Sequence, residues 1–174
     1  MTLRSQTIKS PLLQDIESFL NSDEFINCML EKFEINKAVR VETAYQKNLT
    51  GYNLSPHPDM RNKALTDIAN IYTELTSNKE NFRTHFLTFK DEYKYIAEFW
   101  KHNADVERCW VPWDWCETIK QTSQINSISI FAPGHDTLHA VDISYDHLAQ
   151  QRNQLYGNLW YEEYPPVLQV ITIS

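Results

Sequence analysis

Near residue 37 the apolar residues of this 174-residue chain stop recurring at helical spacing and begin to alternate. Before that point, Ser10-Pro11 leads into Leu12, Leu13, Ile16, Phe19 and Leu20. Serine suits an N-cap, proline the first helical position, and the spacing one face of a helix. Ser22 or Asp23 caps a second helix in which Phe25, Met29 and Phe33 recur every four residues. After it, Ala38–Tyr45 sets Val39 and Val41 against Arg40 and Glu42, the period of a half-buried strand. Gly51 to Pro58 has turn chemistry, and Ala64–Leu75 fits strand or helix. Phe82–Phe89, Ser127–Phe131, Leu138–Ser144, Asn153–Glu162 and Val167–Ile173 read as further strands, with the turn dipeptide Pro133-Gly134 closing the second of these. Two helices followed by about eight strands predict an α+β, mainly β chain, with helices packed on one sheet of an antiparallel barrel or jelly roll. The length suits one domain, residues 1–174, divided into a helical N-terminal segment (1–36) and a β core (37–174).

Composition narrows the chemistry. The three glycines are Gly51, Gly134 and Gly157, so neither GxGxxG nor GxxxxGK[ST] is present and the common phosphate-cradling loops are excluded. Sixteen basic against twenty-three acidic residues give a net charge of −7, which disfavours a nucleic-acid partner. Cys28, Cys109 and Cys116 form neither an even disulfide framework nor a C-x-x-C zinc pair. The N-terminus has no apolar signal-peptide core, and no apolar run reaches the ~18–20 residues of a membrane span. These features predict a soluble cytoplasmic protein. Four of the five tryptophans fall between Trp100 and Trp115, in a stretch broken by Pro112. It reads as a loop folded onto the barrel as a secondary core, or as a rim or lid over a pocket mouth.

The chemistry concentrates at His57-Pro58-Asp59. On an extended strand, residues at i and i+2 share a face, which sets an imidazole beside a carboxylate. The pair is two thirds of the 2-His-1-carboxylate site that holds Fe(II) with positions left open. The same residues also suit a proline-rich surface turn. His139 follows the strand SISIFAP and shares a face with Val141 and Ile143, so it offers the third ligand, or a packed core imidazole. Arg152 opens the strand RNQLYGNLWY, where its fork suits either solvent or a carboxylate ligand.

The ordered set GYNLSPHPD, then Lys63 before an aliphatic strand, then FAPGHDTLHAV, then RNQLY, resembles the Fe(II)/2-oxoglutarate-dependent oxygenases. It is most similar to their small prolyl-hydroxylase-like members, over about two thirds of the chain. The resemblance implies a double-stranded β-helix, or jelly-roll, barrel. It implies Fe(II) held by His57, Asp59 and His139, and 2-oxoglutarate as cosubstrate held at its far carboxylate by Arg152 and by Tyr45. His135, in the Pro-Gly turn, is the alternative distal ligand. His85, His102 and His147 are read as surface or packing residues. The implied reaction uses O2, releases succinate and CO2, and hydroxylates a C–H bond of a peptide or small-molecule substrate. A non-catalytic cupin-like metal- or ligand-binding barrel, and an interaction module built on the tryptophans, are the competing readings.

Overall fold

The computed structural model describes residues 2–5, 7–71, 83–142 and 152–163. Two antiparallel sheets face each other. The larger contains β1 (Thr2–Ser5), β2 (Val39–Asn48), β9 (Arg152–Tyr161), β4 (Lys63–Asn70) and β7 (Ser127–Phe131), in that order. The smaller runs β3 (Asn53–His57), β8 (Leu138–Asp142), β5 (Arg83–Phe89), β6 (Cys116–Thr122). From β2 onward the chain changes sheet at every link except the β5–β6 pair, the strand order of a jelly-roll-like sandwich. The sheets stay separate and do not close into the predicted barrel.

Two helices pack outside the larger sheet, as the N-terminal pattern predicts. The first, α1 (Pro11–Leu20), follows Ser10 and starts at Pro11; the second, α2 (Asp23–Lys32), is capped by Ser22, whose hydroxyl accepts the Phe25 amide. Leu20 packs with Ile8 on Leu155 of β9, and Met29, Leu30 and Phe33 lie against Leu65 and Leu159. The N-terminal segment is not wholly helical. Residues 2–5 form β1, a four-residue strand too short to show a period of its own, which exists by pairing with β2.

A third helix, α3 (Lys94–His102), buries Ala97 and Trp100 against Leu87, Phe89, Leu138 and Ala140 on the outer face of the smaller sheet. Val111 and Cys116 complete this cluster, with Trp113 and Trp115 packed at its margin. The Trp100–Trp115 stretch is therefore mostly a secondary core, but it begins inside a helix rather than a loop. The segment Ala64–Leu75 resolves as strand over Lys63–Asn70, and β6 adds a strand not anticipated. Val167–Ile173, His147, Ile143 and the ends of three other expected strands lie outside the described residues.

Strand β9 shows how the layers divide. Arg152, Gln154, Tyr156 and Asn158 point between the sheets, where the first three line a cavity and the Asn158 amide lies 3.2 Å from the Thr66 hydroxyl. Leu155 and Leu159 point out beneath the helices. Apolar packing thus lies largely outside the sheets, and part of the interior is polar. One outer-face group breaks the rule. Asp67 of β4 lies beside Gly157, where a Cβ would collide with its carboxylate, and its Oδ2 is buried without a hydrogen-bond partner. Burial pushes its pKa up to about 6. An acid raised in the folded state favours folding below its ordinary pKa of 3.8 and loses that advantage as pH rises through 6. Asp67→Asn should therefore stabilise the protein by about 1–3 kcal/mol at pH 7 and by nothing at pH 3.5. Urea denaturation at the two pH values measures it; an equal gain at both would mean that ionisation is not the cause.

Candidate metal centre

Three side chains named from the sequence converge between the sheets. Ligand atoms of His57, Asp59 and His139 all lie within 4.8 Å of one another. His57 and His139 sit opposite each other in the β3·β8 pairing, with ring centroids 4.3 Å apart. A bulge makes this possible. Leu54 pairs with Val141 and His57 with His139, so three steps along β3 run against two along β8. Without the extra residue, Leu54 and His57 would face opposite sides. Pro56 lies in the bulge, and its missing N–H suits a break in the ladder. Asp59 is not on the strand with His57, as the i, i+2 argument supposed; β3 ends at His57.

Asp59 is positioned by a second irregularity. Lys63 pairs with Trp160 and Leu65 with Leu159, so β4 also carries an extra residue. The Lys63 ammonium donates to Asp59 Oδ1 at 2.7 Å and the Thr66 hydroxyl to Oδ2 at 2.8 Å. Lys63 also donates to the Tyr156 hydroxyl at 3.0 Å. Arg108 bonds the Asp59 carbonyl and, at 2.6 Å, the Gly134 carbonyl, tying the Asp59 loop to the turn before β8. Arg61 bonds the carbonyls of Trp100, Asn103 and Val106, and the Val111 amide donates to Pro56. These bonds hold residues 103–111 against the end of β3. There Trp110 stacks on His57 at 4.3 Å while remaining 55% exposed, a rim residue at the cavity mouth.

The protonation states leave donor atoms for a metal ion. The His57 Nδ1 lies 2.9 Å from the Ser55 carbonyl, which can only accept, so Nδ1 carries the proton and Nε2 a free lone pair. Burial lowers the His57 pKa, against the opposing Ser55 bond, and lowers that of His139 to about 3. Both imidazoles are therefore neutral donors at pH 7. The Nδ1 of His139 is buried and takes no hydrogen bond. Burial raises the Asp59 carboxyl, but the Lys63 ammonium and the Thr66 hydroxyl hold it below the usual carboxylate range. Two neutral imidazoles and one carboxylate at this spacing fit the donor set of a ferrous facial triad.

Arg152 faces the same cavity of about 190 Å³. It is 1% exposed and donates Nη2 to the Thr84 hydroxyl at 2.7 Å. Tyr45 does not join it. In β2 the alternation turns Gln46 and Asn48 into the cavity and Tyr45 outward, where it packs near Ile8, Leu20 and Leu155. A one-residue error of parity separates the expected tyrosine from the observed amides. His135 stands apart from the triad, with Nδ1 3.5 Å from Arg61. His85 packs edge-on against Trp113, and His102 is exposed on α3. Lys63 was visible only as a basic residue in the family-like pattern; its bond to Asp59 depends on the β4 bulge and has no local signal.

No protein-family model matches the chain, and no curated protein matches its sequence. Among solved structures, the fold is similar to a prolyl-4-hydroxylase from Pseudomonas putida, with a TM-score of 0.56 and 10% identity. The match covers 92% of this chain and 70% of that one. No described helix is long and apolar enough to cross a membrane.

The depressed imidazole pKa values predict acid lability of the metal-free protein. A histidine lowered on folding gives full stability above its ordinary 6.5, which is lost as pH falls towards the folded value. Stability should fall by a few kcal/mol between pH 6.5 and 4, and His139→Gln should flatten that slope. The comparison belongs in the Asp67→Asn background, since Asp67 slopes the opposite way. An unchanged slope in the double variant would show that His139 is not the group responsible.

Proposed function

We propose that the chain is an Fe(II)- and 2-oxoglutarate-dependent dioxygenase that hydroxylates a C–H bond of a peptide or small-molecule substrate. The observation that carries the reading is the convergence of His57, Asp59 and His139 in a cavity that a buried arginine also lines. The strand order, read as a double-stranded β-helix of one domain, and the likeness in fold to a prolyl-4-hydroxylase support it. Iron, 2-oxoglutarate and O2 would together supply the oxidising power, with succinate and CO2 as co-products.

The chain's own residues have four tasks in this reading. His57 and His139 donate neutral nitrogen lone pairs, and Asp59 donates a carboxylate oxygen. Arg152 anchors the far carboxylate of the diacid; a planar fork held by Thr84 is preorganised for it. Gln46, Asn48 and Gln154 give the cavity a polar wall on the side of Arg152. Trp110 covers one face of His57 and limits the access of water. Three cysteines without disulfides, Cys28, Cys109 and Cys116, suit a cytoplasmic setting.

Anaerobic addition of Fe(II) and 2-oxoglutarate should give the weak visible charge-transfer band of the chelate, and admitting O2 should yield succinate. His57→Ala should abolish both with the fold retained by circular dichroism. If metal binds but no succinate forms with any peptide or amino-acid substrate, the cupin-like binding barrel becomes the better reading. Arg152→Ala should weaken 2-oxoglutarate binding by about 3 kcal/mol or more, two charged hydrogen bonds' worth. Equal affinity in a titration of the variant and the parent would remove Arg152 as the anchor.

A further inference from the structure

We propose that Lys63 is a rival cation for the metal: its ammonium claims part of the Asp59 carboxylate, so a divalent ion binds weakly alone and firmly only with an anion in the same cavity. The inference rests on the reading of His57, Asp59 and His139 as a metal centre. Lys63 is 6% exposed, with its nitrogen 2.7 Å from Asp59 Oδ1. It is not an accidental neighbour. Its nitrogen also lies 3.0 Å from the Tyr156 hydroxyl, 5.6 Å from the Tyr156 ring centroid and 5.1 Å from that of Trp160. Both rings are within cation–π range, so the ammonium has partners that do not depend on Asp59.

The charge balance then decides the behaviour. Asp59 brings one negative charge, and Lys63 cancels it. Arg152 and Arg4 line the same cavity. Coordinating imidazoles add no charge. A divalent ion entering this site meets a carboxylate already neutralised by Lys63, which opposes it whether Lys63 moves aside or shares the carboxylate. An added dianion reverses the balance, because it is attracted to the metal, Lys63 and Arg152 at once. Lys63 thereby couples retention of the metal to presence of the anionic ligand.

The test is calorimetric titration of Mn(II) into the parent, Lys63→Met and Lys63→Gln, each with and without succinate, a diacid lacking the chelating keto group. Gln keeps a donor for Asp59 without the charge, and it carries the test if Met prevents folding. Both neutral variants should bind Mn(II) about tenfold or more tightly than the parent without succinate. Succinate should tighten binding to the parent about tenfold and to the variants much less. Should Mn(II) bind the parent, and bind the variants no more tightly, the rivalry is wrong and the metal centre stands. A loss with Met and parent-like binding with Gln would make Lys63 a positioning residue only. Binding that is absent from all three proteins, or that survives Asp59→Asn, would overturn the metal centre itself.

Discussion

The pairing of β3 with β8 is the constraint on which the site depends. It sets His57 opposite His139 although they are far apart in sequence, and only one register does so. A slip of one residue would turn either imidazole to the other face of the sheet. The bulge around Pro56 fixes the parity at His57, and the bulge around Ala64 turns both Lys63 and Thr66 toward Asp59. Irregular pairing of this kind re-aims side chains next to functional sites. Here two such breaks are needed, one for a donor and one for the groups that hold another donor in place.

This arrangement asks for stability from elsewhere, because an interior lined by Arg152, Gln154, Gln46 and Asn48 contributes little apolar burial. The outer faces supply it. Leu155 and Leu159 under the two N-terminal helices, and Leu87, Phe89 and Leu138 under α3, are nearly or fully buried. Each such side chain contributes roughly 1.5–3 kcal/mol on burial. Three interior amides bond one another: Gln46 donates to Gln154 at 2.9 Å, and Gln154 to Asn70 at 2.8 Å. A connected amide row crosses β2, β9 and β4 and stiffens a wall of the cavity that His57, Asp59 and His139 also line.

What could be read in the sequence follows from what is local. The two N-terminal helices and the clean strand Ser127–Phe131 are legible from period and turn residues. His57, Asp59, His139 and Arg152 were legible as types in an order, and the structure brings all four to one cavity. Tyr45 failed because parity in β2 cannot be fixed without knowing which face looks inward, and both faces of that strand are covered. Helix α3 has no clear sequence signal because Tyr95 and Phe99 stay exposed while Ile96, Ala97 and Trp100 face the core, so its apolar residues do not mark a single face. The short β1 and the exposed β6 exist only through their partners. The Lys63–Asp59 bond is a product of the β4 bulge, which no residue pattern announces.

Burial alone does not explain the charges of the three proposed ligands; their partners do. All three leave water, and desolvation penalises a charged form in each case. The histidines have no group strong enough to offset that loss, so they stay neutral and keep lone pairs. Asp59 pays the same penalty but receives an ammonium and a hydroxyl, so it stays ionised. The fold similarity, at 10% identity, could accompany many activities. The proposed oxygen chemistry needs this division of charge: two neutral nitrogens, one supported carboxylate, and a separate buried guanidinium lining the same cavity.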